Sequence, residues 1–167
     1  MSTAPADTLA AAPSPRAAGA ADLAAVERLL AAADLPTVGV AAILAAHPQD
    51  FLVADEPARP GELAGVAGLE VLGRTALLRS VAVAPAWRSH RLGESLVRGL
   101  LDEAERRGLD AVYLLTTTAE RWFPRFGFAP VERAAVPAEV AASEEFASAC
   151  PASAVVMARR LSGRRSP

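Results

Sequence analysis

Lysine and asparagine are missing altogether from the 167 residues, so every one of the 17 basic side chains is an arginine. That bias, together with a very high alanine content, is the composition of a GC-rich bacterial genome. A single cysteine, Cys150, excludes an intramolecular disulfide and any multi-cysteine zinc centre. The two histidines, His47 and His90, stand far apart, and no metal is expected. No apolar run approaches the roughly 20 residues that span a bilayer. The N-terminus lacks both a charged start and a continuous apolar core, so no signal peptide is expected. A net charge of −2 provides no overall field toward nucleic acid or an anionic membrane. These absences predict a cytoplasmic protein with neither nucleic acid nor membrane as partner.

What the chain does have is apolar material: 52% of its residues are hydrophobic, enough for one domain with a sizeable core. Residues 1–19 offer little to bury except alanine and are broken by Pro5, Pro13 and Pro15, so they are expected to be disordered. A short first strand is allowed near Ser14 to Ala18. The domain is placed at 20–161, with a short basic tail over 162–167. Asp22 caps a predicted helix with the stripe Leu23, Val26, Leu29 and Leu30, and a second helix runs through Ile43 and Leu44. The period then becomes strand-like. "FLVAD" (51–55), "ELAGVAGLEVL" (62–72) and "TALLRSVAV" (75–83) read as antiparallel neighbours, the last two joined by a Gly73-Arg74 hairpin.

Leu92, Leu96, Val97, Leu100, Leu101 and Ala104 recur at helical spacing, and Gly108 closes that helix. "AVYLLT" (111–116) reads as a strand buried on both faces. "AERWFPRF" is expected as a short helix, "GFAPVE" as a strand start, "PAEVAASEEFASA" as a polar helical excursion, and "SAVVMARRL" (153–161) as a last strand. The order predicts an α/β (α+β) fold, a mixed sheet of about six or seven strands flanked by helices.

One segment has chemical character. In "SVAVAPAWRSHRLGESLVRGLL" a strand delivers Arg88, Ser89, His90 and Arg91 to a helix N-terminus at Leu92-Gly93-Glu94. Free backbone N–H groups and the helix dipole make such a junction favourable for phosphate, although an ordinary joint with solvated arginines has the same pattern.

That junction, the element order and "RWFPRFGFAPV" together resemble the acetyl-CoA-dependent N-acetyltransferases of the GNAT superfamily, over residues from about 20 to 161. The family's phosphate loop runs Arg or Gln, two residues, Gly, one residue, Gly or Ala; Arg88, Arg91 and Gly93 stand at its three marked positions. Arg91 departs from the pattern, adding a long side chain and restricting the backbone where glycine is usual. "LPTVGV", "GLEVLGRTALLRSVAV", "YLLTTTAERWF" and "FASACPASAVVM" resemble the arsenic-resistance-associated (second type) branch, and the same features are similar to N-acetylglutamate synthases. The resemblance implies acetyl-CoA as cosubstrate and a small amine as acceptor, an amino acid or an organoarsenical or phosphonate analogue. It leaves room for a homodimer. A weakly catalytic acyl-CoA sensor of the same fold is the alternative.

Carried over residue by residue, the resemblance implies that Val81, Ala82 and Val83 meet the thioester and pantetheine. It implies that Arg88, Ser89, His90, Arg91, Leu92, Gly93 and Glu94 meet the phosphates. Phe123 stands where many members have a tyrosine acid, and it has no proton to give. Glu70 is the nearest carboxylate for a base, and is otherwise a solvated strand residue. Thr116, opening the run "TTT" with Thr117, holds a water or substrate or serves β-propensity alone. Arg79, in mid-strand, needs a carboxylate: either Glu70 in a structural pair or the α-carboxylate of an amino-acid substrate. Alternation puts Leu77, Arg79 and Val81 on one face unless a bulge resets it. Cys150 is assigned to packing.

Overall fold

The computed structural model of the chain describes residues 12–149 and 151–162. Cys150 and the expected disorder of residues 1–11 lie outside the described residues. Within the alanine- and proline-rich segment, Arg16–Ala17 forms the first strand, β1, so this part of the segment is ordered. Arg16 holds it there: its guanidinium donates to both Asp22 and Asp55 at 2.9 Å. Asp22 is not the simple helix cap expected. It ends a 3-10 turn, Ala20–Asp22, and its carboxylate accepts the Gly19 N–H at 2.8 Å. Helix α1 (Leu23–Ala32) follows directly, then α2 (Val40–Ala46).

Strands β2 (Phe51–Asp55), β3 (Leu63–Leu72) and β4 (Thr75–Val83) form an antiparallel meander, as their period-2 patterning requires. Gly73 takes φ 67° in the two-residue turn between β3 and β4, a conformation that glycine supplies without steric cost. Helix α3 (Leu92–Arg106) then crosses the sheet, which allows β5 (Ala111–Thr116) to lie parallel to β4. The segment expected as a short helix is only a 3-10 turn, Phe123–Phe126, because Pro124 would fall inside a helix over 119–126, where it has no N–H for the carbonyl four residues back and its ring clashes with it. Two residues, Ala129–Pro130, make the edge strand β6; α4 (Ala138–Ala141) and a single wide turn, Glu145–Ala149, precede β7 (Val155–Arg160). The seven strands run β1-β2-β3-β4-β5-β7-β6.

Each face of the sheet carries its own core. α3 packs Leu92, Leu96, Val97, Leu100 and Leu101 on one face, against residues that include Leu78, Leu114 and Met157. Gly65 permits that approach, since a Cβ there would stand 2.9 Å from Leu96 Cδ1. On the other face α1 and α2 bury Val26, Leu30, Val40 and Leu44 against Phe51, Val53 and Val66, while Val140 and Phe146 cover Leu77 and Val156. Among the described residues no helix is long and apolar enough to cross a membrane.

Candidate active site

β4 and β5 pair only from Thr75–Ala111 to Leu77–Tyr113 and then diverge. A bulge lies just past that point: Gly68 opposes Arg79 and Val66 opposes Ala82, so Ser80 and Val81 together face one residue of β3. Ser80 takes φ 58°, the left-handed conformation in which a bulge usually puts glycine. The bulge overturns the uninterrupted alternation. Arg79 stays on the face of Leu77, whereas Val81 moves to the α3 face with Leu78 and Val83. Backbone polarity follows from the register. Ala84 N–H donates to Ala64 O at 2.8 Å, so by alternation the N–H groups of Val83 and Val81 point the other way, toward the departed β5. A cleft of about 520 Å³ fills the divergence.

The cleft's second wall is the loop entering α3. Pro85–Trp87 forms a 3-10 turn, pinned by Trp87 Nε1 donating to Glu56 Oε2 at 2.6 Å. Arg88 donates from Nε to Val83 O at 3.2 Å. Arg91 takes φ 58° and ψ 21°, so an arginine adopts the left-handed geometry that the family's glycine would take freely. It offers α3 no side-chain cap, and the N–H groups of the helix's first turn have no acceptor within the helix. Arg88, Ser89, Arg91, Gly93 and Glu94 all line the cleft, as do Val81, Ala82 and Val83. A Cβ on Gly93 would meet Val83 and Trp122 at 3.4–3.5 Å, so its place is a smooth part of the wall and not a tight internal contact. These donors fit an extended thioester with a polyanionic tail. Two expected contacts are not among the lining residues. His90 stacks edge-on against Trp87, ring centres 4.9 Å apart, and the Leu92 side chain is buried under α3.

Thr116, Thr118, Ala119, Trp122 and Phe123 close the inner end. Thr116 Oγ accepts the Ala119 N–H at 2.9 Å, fixing the turn after β5, and Thr117 points out into solvent, away from the expected substrate contact. Phe123 packs edge-on with Trp122 and Phe128, presenting only carbon to the cleft. Tyr113 lies against the Leu77–Phe146 cluster on the opposite face of the sheet.

The charged centre differs most from expectation. Arg79, with its side chain 1% exposed, pairs with Glu70 Oε2 at 3.2 Å and donates to Val38 O and Ser80 Oγ. Its second acidic neighbour is Glu145, whose Oε2 lies 2.8 Å from Arg79 Nε but off the N–H direction, so that oxygen has a charge beside it and no aligned hydrogen bond. Glu70 does not reach the cleft. It backs Arg79 from a separate depression beside α2, Asp50 and Arg107, which removes it as a base or a substrate contact. A substrate carboxylate would reach Arg79 only by displacing Glu145, which, unlike Glu70, lines the cleft. Burial pushes the Glu145 carboxyl above the ordinary glutamate range, the Arg79 charge opposes this, and Glu70 adds to it. The sequence signalled only that a mid-strand arginine needs a carboxylate; nothing singled out Glu145. Among the described residues no group of three or more potential metal ligands gathers.

Comparison with known proteins gives the same outline. The family model described as Acetyltransferase (GNAT) family matches residues 23–128. An amino-acid acetyltransferase of Mycobacterium tuberculosis is 39% identical over 93 residues, 55% of this chain and 53% of that protein, so the match spans about half the length of that relative. The crystal structure of Rv2747 from the same organism, in complex with CoA and NLQ, superposes with a TM-score of 0.73 at 28% identity over 89% of this chain and 99% of its own. N-acetylglutamate synthase from Neisseria gonorrhoeae, solved with coenzyme A and N-acetyl-glutamate, shares the fold at a TM-score of 0.71 and 23% identity, over 89% of this chain and 35% of its own. A diverging pair of central strands, backbone donors facing the gap and an uncapped helix beside it are thus joined to a family match over most of the domain: the chain belongs to the GNAT family of acetyltransferases, whose cosubstrate is acetyl-CoA.

Proposed function

We propose that the protein moves the acetyl group of acetyl-CoA to the amine of a small molecule, an amino acid or a close analogue, by direct attack. The observation that carries this reading is the separation of β4 from β5 beyond Leu77 and Tyr113, which leaves the Val81 and Val83 N–H groups facing a cleft that ends at the start of α3. Acetyl-CoA supplies an activated thioester. The N–H groups of Val81 and Val83 align it and polarise its carbonyl, and fixed donors of this kind favour the oxyanion of the transition state without reorganising. The pyrophosphate is held by the first-turn N–H groups of α3 with Arg88 and Arg91.

Phe123 supplies no proton to the departing sulfur, and none is required, because a thiolate leaves readily near neutral pH. The amino-acid acceptor is favoured by the similarity to the amino-acid acetyltransferase of Mycobacterium tuberculosis. The arsenical alternative rests on the sequence segments alone. The test is release of free CoA thiol from acetyl-CoA across a panel of amino acids, their decarboxylated amines, and phosphonic and arsonic analogues. Turnover with one or more amino acids is expected; turnover confined to arsonates would move the assignment to the arsenic branch, and no thiol release with any amine would leave only a binding role.

A further inference from the structure

Building on the acetyltransfer reading, we infer that Glu145, on the turn after α4, is the group that takes the proton from the attacking amine, with Arg79 as its positioning residue. Three observations meet at this side chain. Among the described residues, Glu145 is the only carboxylate besides Glu94 in the wall of the cleft, and Glu94 is engaged at the helix start by Arg98 at 3.0 Å. Its side chain is 10% exposed, and the enclosed Oε2 has no hydrogen-bond partner among the described residues, an arrangement that costs free energy and leaves the carboxylate short of donors. Finally, Arg79 Nε touches both Glu145 Oε2, at 2.8 Å, and Ser80 Oγ, at 3.2 Å. The carboxylate is therefore tied to the bulge that turns the next residue, Val81, toward the proposed thioester site.

The charges around it suit the role. Arg79 approaches from β4 and Glu70 stands behind it on β3, while Glu144 on the same turn sits beside Gly39 near the far side of the guanidinium. One arginine among these carboxylates keeps Glu145 ionisable, and burial keeps it basic. In the step itself, an ammonium N–H proton passes to the Glu145 carboxylate. The freed lone pair forms the C–N bond, the C–S bonding pair leaves on sulfur, the second nitrogen proton ends on that thiolate to give CoA-SH, and Glu145 returns its proton to water. The sequence held this residue in a stretch read only as a polar excursion.

The experiment measures thiol release from acetyl-CoA against pH for the parent and for Glu145→Gln, on the best amino acid of the panel. Expected for the variant is a loss of roughly 100- to 10,000-fold at neutral pH, the range of a lost general base. The loss should shrink as pH approaches the amine's own pKa, where deprotonation no longer needs help. Acetyl-CoA affinity and Tm should hold or rise. Should Glu145→Gln fail to fold, Glu145→Asp serves, with a partial loss and a displaced acidic limb as the expected result. An active parent whose variant keeps within three-fold of it, or loses the same factor at every pH, overturns the role of Glu145 alone. A parent that releases no thiol with any amine of the panel overturns the acetyltransfer reading and this inference with it.

Discussion

Replacing Arg91 by glycine tests the phosphate-loop geometry through the backbone, apart from the charge. Arg91 sits at φ 58° and ψ 21°, where an L-residue carries about 1–2 kcal/mol of steric cost. Glycine removes that cost but gives the unfolded chain more freedom, a penalty of roughly 0.5–1 kcal/mol. The net expectation for Arg91→Gly is a stabilisation of about 0.5–1 kcal/mol, or a Tm increase of roughly 1–4 °C for a domain of this size. The side chain is exposed, so losing its charge should alter acetyl-CoA affinity by less than about five-fold at moderate salt. Arg91→Ala is the necessary partner: it removes the same guanidinium and keeps a Cβ in the left-handed region. Differential scanning calorimetry of the two variants isolates the backbone term, while titration calorimetry with acetyl-CoA isolates the charge. Gly and Ala variants with equal Tm would refute the assigned geometry, because the strain would then not reside at this residue.

Gly93→Asp has room for its Cβ, which would stand 3.4 Å from Val83 and 3.5 Å from Trp122, so Tm should be unchanged while acetyl-CoA affinity falls at least ten-fold at low salt; titration calorimetry with undiminished binding would contradict the phosphate placement. Gly68→Ala should destabilise by about 1–3 kcal/mol in urea titrations, since the new Cβ would lie 2.5 Å from the buried Phe51 ring; a neutral result would mean that Phe51 packs elsewhere. Arg16 holds the Asp22 and Asp55 carboxyls below their ordinary range, chiefly through its hydrogen bonds to them. Because both carboxyls are depressed in the fold, that contribution is present above the unfolded value of about 4 and is lost as pH falls through the folded values. Arg16→Ala should thus cost about 0.5–1 kcal/mol at pH 7, with the parent and variant stability curves converging in acid.

The strands and the long helix were legible because their patterns are local. Period 2 in "FLVAD" and "TALLRSVAV" and the Leu92–Leu101 stripe each register burial on one face, and the observed β2, β4, β5 and α3 begin where those patterns begin. The wall proposed for the cofactor comes mostly from one stretch, Val81 to Glu94, which is why the sequence could single it out, although His90 and Leu92 within it do not line the cleft. The bulge was not. A serine in the left-handed region has no distinguishing neighbour in sequence, yet at Ser80 it turns Val81 away from the face that simple alternation assigned. Glu145 was hidden for a different reason. Its partner lies on a strand far back in the chain, and two adjacent glutamates in an alanine-rich stretch look like any solvated surface. Glu70 showed the converse error, where closeness in the hairpin suggested access to the substrate but the ion pair faces away from the cleft.

The short contact between β4 and β5 also bears on how this sheet comes together and comes apart. Among the described residues, three ladder pairs join β4 to β5, extended by the Asp110 N–H donating to Arg74 O at 2.7 Å, whereas β5 and β7 pair along six positions. A seam that short contributes little cooperativity by itself, so α3, whose apolar side packs with residues of both layers, is the strap that makes one folding unit of two. Native-state hydrogen exchange should resolve the layers as separate foldons. The amides of Leu114 to Thr116 that face the seam should exchange through local opening, well before those locked to β7. The gap proposed to admit the cosubstrate would then be, in folding terms, the fault line along which the molecule first parts.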